Sequence, residues 1–308
     1  MKYLFIYFLF SSFVFAKELK VLTFNTWLLK PPFGIGAAED IEERLKIMPE
    51  KLASTGADII GLQEVWNNSY RDTLIKEMKK YGYESYHDKG EGFILFETGL
   101  LIFSKFSATA ETLVMHFKKY TRSEEAFTSK GALKVSFHVP DLGDLDFYDT
   151  HLGAVTYHTK TKEFDQKHLE YRFSQTEQLV NWIQKTNTNP LSILTADMNS
   201  HYLKTKLGGH VNEYEPDYRL IVEPDFLEIG LGWKCFFPPL TEFTFEKANP
   251  YVARGHFDNV PDETIDYIFI NPQEKFKKLE SKIVFKEEIS KKVPRLSDHY
   301  GVLATLQY

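Results

Sequence analysis

Apolar residues in this chain gather in short unbroken runs, and most runs end on a polar side chain. ELKVLTF (18–24) and ADIIGLQ (57–63) read as buried strands. GLLIFS (99–104), ALKVSFHV (132–139), LDFYDTHL (145–152), LSILTA (191–196), IDYIFI (265–270) and GVLATLQ (301–307) read as further strands. Helical spacing fills the gaps. Asp40 is placed to cap a helix carrying Ile41, Leu45, Met48 and Leu52 on one face, with Pro49 expected to kink it and Gly56 to stop it. Asn68 or Ser69 starts a second helix over Leu74, Ile75 and Met78, closed by Gly82. A polar helix over 165–185 carries Tyr171, Gln175, Leu179, Trp182 and Ile183. Strands interleaved with helices predict an α/β domain. The short turn at Pro140 to Asp144 makes the sheet mixed rather than wholly parallel.

Composition narrows this picture. The 308 residues are 43% hydrophobic, enough for one large core, expected as a single domain over 17–308. The opening MKYLFIYFLFSSFVFA falls outside it. Lys2 gives a positive start, Tyr3 to Phe10 is apolar, and Val14 and Ala16 suit a cleavage point. This predicts a signal peptide over 1–16, removed on export to the periplasm or the exterior, with an uncleaved anchor or lipid tether as the alternative. The single cysteine, Cys235, leaves no partner for an internal disulfide and reads as a core residue. A net charge of −6 gives no bulk attraction for nucleic acid, although a local basic face stays possible. The chain is expected to act as a monomer.

The strand ends hold the chemistry. Asn25, Glu64, His151 and the pair Asp197 and Asn199 follow successive apolar runs. Asp266 stands early in its strand, and Asp298 and His299 come just before the last one. A lone strand-end aspartate is more often a turn former. Six such endings point instead to a shared site, because ligands of α/β folds gather beyond strand ends. Glu64, Asp197 and Asp298 with two amides are hard oxygen donors, suited to Mg²⁺, Mn²⁺ or Ca²⁺. Two histidines add proton transfer near neutral pH. In-line attack on a phosphate needs both sets. No His-x-x-x-His helix supports zinc hydrolysis, no Gly-x-Ser-x-Gly elbow a serine hydrolase and no Walker loop an NTPase.

Asn25, QE at 63–64, THL at 150–152, DMN at 197–199, Asp266 and SDH at 297–299 resemble the endonuclease/exonuclease/phosphatase superfamily in order and spacing. Within it, FNTW (24–27), LQEVW (62–66), GLLIFSK (99–105), FTSKGA (127–132), YDTHLGAVTY (148–157) and the span from NPYVA to IDYIF (249–269) resemble neutral sphingomyelinase. One departure is Ala196 where glycine usually precedes the D-x-N aspartate. The resemblance implies a four-layered α/β sandwich of the deoxyribonuclease-I-like kind: two mixed β-sheets face to face with helices outside. It implies that Glu64 binds the divalent cation, one or two ions in all, with Asn25 close by and Asp298 as a further ligand. His299 would be the general base, oriented by Asp266. Asp197 and Asn199 would position water and phosphate. His151 would hold phosphate oxygens or protonate the leaving group, and Glu97 matches the acid that pairs with that histidine in the nucleases. Lys130 is placed to touch the phosphate or to lie on the surface. Trp66 and Trp27 flank the ligands, where an aromatic face could hold choline or simply fill core.

The expected reaction is cleavage of sphingomyelin, or a related choline phospholipid, to ceramide and phosphocholine at a membrane surface. The alternative is an exported nuclease on the same site, but sparse, scattered arginines give little to hold a nucleic-acid backbone. DNVPDETID (258–266) lacks the Pro-Ala-Trp-type word of inositol-phosphate phosphatases. A pseudoenzyme is disfavoured because every expected catalytic position is filled. Three segments are candidates for membrane contact: the loop 31–37, the lysine-rich span 273–295, and GLGWKCFFPPL (230–240), whose Trp233, Phe236 and Phe237 are either a lipid wedge or core.

Overall fold

The computed structural model describes residues 16–30, 38–89, 97–118, 129–206, 209–236, 242–254 and 260–308. The predicted signal segment, the 31–37 loop and Phe237 lie outside them, apart from Ala16.

In chain order the elements are β1 (Glu18–Asn25), α1 (Ile41–Ser54), β2 (Ile59–Gln63), α2 (Asn68–Met78), β3 (Glu84–His87), β4 (Leu101–Ser104), β5 (Leu113–His116), β6 (Gly131–Val139) and β7 (Gly143–His151). There follow β8 (Tyr157–His158), β9 (Glu163–Phe164), α3 (Gln166–Thr186), β10 (Leu191–Asp197), β11 (Leu203–Lys206), β12 (Gly209–Tyr214), α4 (Pro216–Val222), β13 (Lys234–Phe236), α5 (Pro250–Arg254), β14 (Asp266–Asn271), β15 (Lys278–Val284) and β16 (Gly301–Gln307).

Two six-stranded sheets dominate. The first runs β15-β16-β1-β2-β4-β3 and the second β13-β14-β10-β7-β6-β5, while β8-β9 and β11-β12 form small hairpins. Each large sheet has one parallel pair, β1 with β2 and β7 with β10, and is otherwise antiparallel.

Both faces of the central strands are buried, which is why their apolar runs are continuous. Side chains alternate between two layers. Val21, Ile59, Ile102, Phe147, Ile193, Ile268 and Val302 pack between the sheets. Their neighbours Leu22, Ile60, Phe103 and Leu303 turn outward against Ile41, Leu45, Met48 and Leu52 of α1 and Leu74 and Met78 of α2. On the second sheet, Tyr148, Leu194 and Phe269 turn outward against Leu179, Val180 and Ile183 of α3 and Leu220 and Ile221 of α4. This is the four-layered sandwich, helix–sheet–sheet–helix, that the resemblance implied.

Local chemistry departs from expectation at the start of α1. Asp40 holds the cap position with φ 50 but its side chain makes no cap hydrogen bond; its Oδ2 accepts from Tyr251 Oη at 3.0 Å instead. α2 starts at Asn68, as predicted, and Asn67 before it caps it, accepting from the backbone N–H groups of Ser69 and Tyr70. Pro49 does not break α1, which is one element across it.

Candidate active site

The inner-face rows carry the site. Toward one end of the molecule they read Val21-Thr23-Asn25 on β1, Ile59-Gly61-Gln63 on β2, Phe147-Asp149-His151 on β7 and Ile193-Thr195-Asp197 on β10. Register brings these tips together. Asn25 pairs with Gln63, and Asp197 lies between His151 and Asp266. β16 runs antiparallel to β1, so the turn Ser297–His299 before it returns to the same end. Beyond the strand tips the backbone turns sharply, with Glu64 at φ 62 and Asn199 at φ 46, conformations that non-glycine residues adopt at cost and that collect at functional sites.

His299 Nδ1 lies 3.0 Å from Asp266 Oδ2, and its Nε2 faces Asp197 Oδ2 at 4.0 Å. Burial opposes its protonation, but Asp266 and Asp197 outweigh that and raise its pKa well above the ordinary value. Thr244 Oγ1 accepts from the Ile265 and Asp266 backbone N–H groups, and the Phe245 ring packs 5.1 Å from the His299 ring. With Nδ1 engaged by Asp266 and Nε2 turned toward Asp197, the two acids favour the charged imidazolium.

His151 faces a different set. Its Nε2 lies 3.0 Å from Lys130 Nζ, 3.0 Å from Asn199 Nδ2 and 3.3 Å from Asp197 Oδ2. Burial and the Lys130 charge push its pKa down to about 3, so it is neutral at physiological pH. Lys130 and Asn199 both donate to Leu152 O, at 2.8 and 2.9 Å. Arg172 of α3 donates to the Asn199 carbonyl and to Asp217 Oδ2, fixing the loop after β10.

Asn25 joins the two sheets: its Nδ2 donates to Asp197 Oδ2 at 2.8 Å and Glu64 Oε1 at 3.2 Å. Burial, then the like charge of Asp298, raises Glu64 to about 7, and burial raises Asp298 also. Glu64 Oε2 is buried with no hydrogen bond among the described residues. Two crowded carboxylates with an unused oxygen fit a hard divalent cation, which would relieve both their repulsion and their desolvation. Among the described residues, ligand atoms of Asp197, Asp266 and His299 also come within 4.8 Å of one another.

The structure therefore brings Asn25, Glu64, Lys130, His151, Asp197, Asn199, Asp266, Asp298 and His299 to one end of the two sheets. Lys130 is buried, 7% exposed, not on the surface. Glu97 does not meet His151: it is buried in an ion pair with Arg71, whose guanidinium neutralises it, and His151 Nδ1 has no hydrogen bond among the described residues. Trp66 is buried beside His151, ring centres 6.5 Å apart, and lies flat against Gly99. Gly99 has φ 70, and a Cβ there would meet the indole at 2.6 Å. Trp66 is thus a wall, not an open face for choline. Sequence reading missed Arg44 and Asn249. Arg44, fully buried, donates to the carbonyls of Thr26, Trp27, Glu39 and Leu296. Asn249 Nδ2 donates to Ser297 O and Asp298 O, each at 2.9 Å. A cation among the apolar positions of the first helix was the only signal for Arg44.

Paired α/β sheets that gather carboxylates, amides and two imidazoles at one end define a class of hydrolases. A model of the endonuclease/exonuclease/phosphatase family matches residues 22–299, and the chain belongs to that family. A Caenorhabditis elegans protein named as a neutral sphingomyelinase is 28% identical over 197 residues, 60% of this chain and 42% of that protein. An inositol phosphosphingolipids phospholipase C of Schizosaccharomyces pombe is 26% identical over 314 residues, covering 94% of this chain and 69% of its own length. The chain thus spans less than half of the first relative and about two thirds of the second. Among solved structures, a Staphylococcus aureus beta toxin variant with bound magnesium ions superposes with a TM-score of 0.71 at 15% identity, over 94% of this chain and 99% of that one.

Proposed function

We propose that the chain is an exported, divalent-cation-dependent phosphodiesterase that cleaves sphingomyelin to ceramide and phosphocholine. The observation that carries the chemistry is the His299–Asp266 pair, which turns the other imidazole nitrogen toward Asp197. The names of the two relatives support a sphingolipid phosphodiester as the substrate.

In its neutral form His299 takes a proton from the attacking water at Nε2, while Asp266 holds Nδ1 and stabilises the imidazolium that forms. Asp197 and Asn199 orient the water and the phosphate. Lys130, with neutral His151 beside it, donates to phosphoryl oxygens, and the departing ceramide oxygen takes its proton from solvent water. Glu64 and Asp298, with Asn25 between Glu64 and Asp197, would hold Mg²⁺, which supplies charge to the developing phosphoryl oxygens. Residues 1–16 direct export and are removed, and the mature chain meets its substrate at a membrane surface.

The test is phosphocholine release from sphingomyelin vesicles by the mature protein, beside plasmid DNA, each with Mg²⁺ and with EDTA. Cation-dependent release with intact DNA is the expected result. Nicked DNA with intact lipid would transfer the activity to the nuclease reading.

A further inference from the structure

The layer between the sheets is aliphatic and aromatic, yet an acid stands in it one pleat beneath the site. Asp149 is fully buried on β7, in the same inner-face row as His151. Its Oδ1 accepts from Gln63 Nε2, across the gap on β2, at 2.6 Å. Thr195 Oγ1, its neighbour in register on β10, lies 2.8 Å from the same oxygen. Gln63 Nε2 also reaches Thr23 Oγ1 on β1 at 3.2 Å. One small cluster thus touches β1 and β2 of the first sheet and β7 and β10 of the second.

Gly61 makes room for it. A Cβ at that position would meet Thr195 Oγ1 at 2.2 Å and Asp149 Oδ1 at 2.7 Å. The inner face of β2 gives up its side chain where the polar contact crosses.

The hydrogens can be counted. The Thr195 hydroxyl has one proton, while Asp149 Oδ1 at 2.8 Å and the Tyr148 carbonyl at 3.1 Å both lie within reach. If Asp149 is ionised, one of those contacts has no hydrogen. If Asp149 is a neutral acid, its own O–H donates to Thr195, Thr195 donates to Tyr148 O, and every contact is filled. Asp149 Oδ2 is buried without a hydrogen bond among the described residues, which a neutral acid tolerates far better than a carboxylate. Burial favours the same state and outweighs the opposing hydrogen bonds from Thr195 and Gln63, with a smaller contribution from the negative Asp197.

We propose that Asp149 is a positioning residue: as a neutral carboxylic acid it ties Gln63 of the first sheet to Thr195 of the second and sets the spacing between the two halves of the site. Gln63 precedes Glu64, and Asp149 lies two residues before His151, so the tie acts one step below both. This rests on the reading of those residues as the reacting site.

The experiment compares Asp149→Asn, a neutral isostere whose Oδ1 still accepts from Gln63 and Thr195, with Asp149→Leu, which keeps no hydrogen-bonding group. Phosphocholine release is followed at saturating Mg²⁺, with thermal melts to show that each variant folds. Asp149→Asn should keep kcat within about threefold, while Asp149→Leu should lose about 100-fold in kcat with KM nearly unchanged, the signature of displaced reacting groups. Gly61→Ala, should Asp149→Leu not fold, forces the same gap open and should also lower kcat. An infrared difference spectrum of wild type against Asp149→Asn, taken above neutral pH, should show one protonated carboxyl lost. Equal damage from Asn and Leu would mean that the charge matters and would overturn the proposal, as would wild-type kcat in a folded Asp149→Leu or Gly61→Ala protein. The infrared band decides the proton even if wild type leaves sphingomyelin intact, so failure of the substrate reading and failure of the tie give different results.

Discussion

At the scale of the residue, the site is a set of opposed charges waiting for a counter-charge. Glu64 is raised from 4.5 to about 7, first by burial and then by Asp298. A carboxyl whose folded pKa exceeds its unfolded value contributes stability that is present at low pH and is lost as pH rises through the folded pKa. The metal-free protein should therefore lose stability between about pH 5 and about pH 7 through this group. Mg²⁺ should raise the melting temperature more at the alkaline end of that window than at the acid end, and Glu64→Gln should reduce the pH dependence of the increment, leaving the part that belongs to Asp298. Differential scanning fluorimetry with and without EDTA reads both; a magnesium shift that is equal at both ends would remove Glu64 as a ligand. On activity, His299→Ala should lower kcat by about 10²- to 10⁴-fold, the usual contribution of a positioned base, with folding intact by circular dichroism. These side chains were legible in the sequence because each stands at the end or just before the start of an apolar run. Asp149 and Arg44 were not. An acid one pleat short of a strand tip and an arginine on a helix look like ordinary polar positions until the second sheet and the site loops are in place.

At the scale of the element, the strands were legible wherever both faces are buried, since a continuous apolar run has one reading there. The edge strands were not. β15, Lys278–Val284, alternates exposed and half-buried positions within the lysine-rich span that is a candidate for membrane contact, yet it pairs along its length with β16. Phe276 and Phe285, the aromatics of that span, are buried. Short β3 and β5 at the opposite edges were missed because four exposed or half-buried residues carry no periodicity. Arg44 shows what holds elements rather than residues: from α1 it donates to the loop after β1 through Thr26 and Trp27, and to the loop before β16 through Leu296. Its guanidinium also lies 5.1 Å from the Trp27 ring. Arg44→Met keeps the length and removes the donors, leaving buried carbonyls unsatisfied. The expected cost is about 3 kcal/mol or more, read as a lower midpoint in urea with little change in slope. Arg44→Lys should recover only part of it, because one ammonium cannot span four carbonyls.

At the scale of the whole molecule, three apolar layers separate four structural ones, and this decides what is left for a membrane. No helix among the described residues is long and apolar enough to cross one. On the proposed lipid substrate, contact with the bilayer falls to side chains at the protein's surface, and Trp233 is a natural candidate from sequence. The fold removes it. Trp233 is 3% exposed, its ring stands 6.2 Å from Tyr148, and its backbone N–H donates to Ile221 O of α4, so it closes the layer between the second sheet and its helices. Cys235, two residues on, is buried in the same layer, as expected of a core thiol. Trp233→Ala should consequently act as a core truncation and cost about 3–5 kcal/mol of stability. It should leave vesicle binding per folded molecule unchanged. The two effects separate by running sphingomyelin-vesicle flotation well below the melting temperature of the variant, beside its thermal melt. Wild-type stability with lost flotation would show that the indole leaves the core to meet lipid. A destabilised variant that still floats would place the contact elsewhere on the surface and confirm that this tryptophan belongs to the packing of the second sheet.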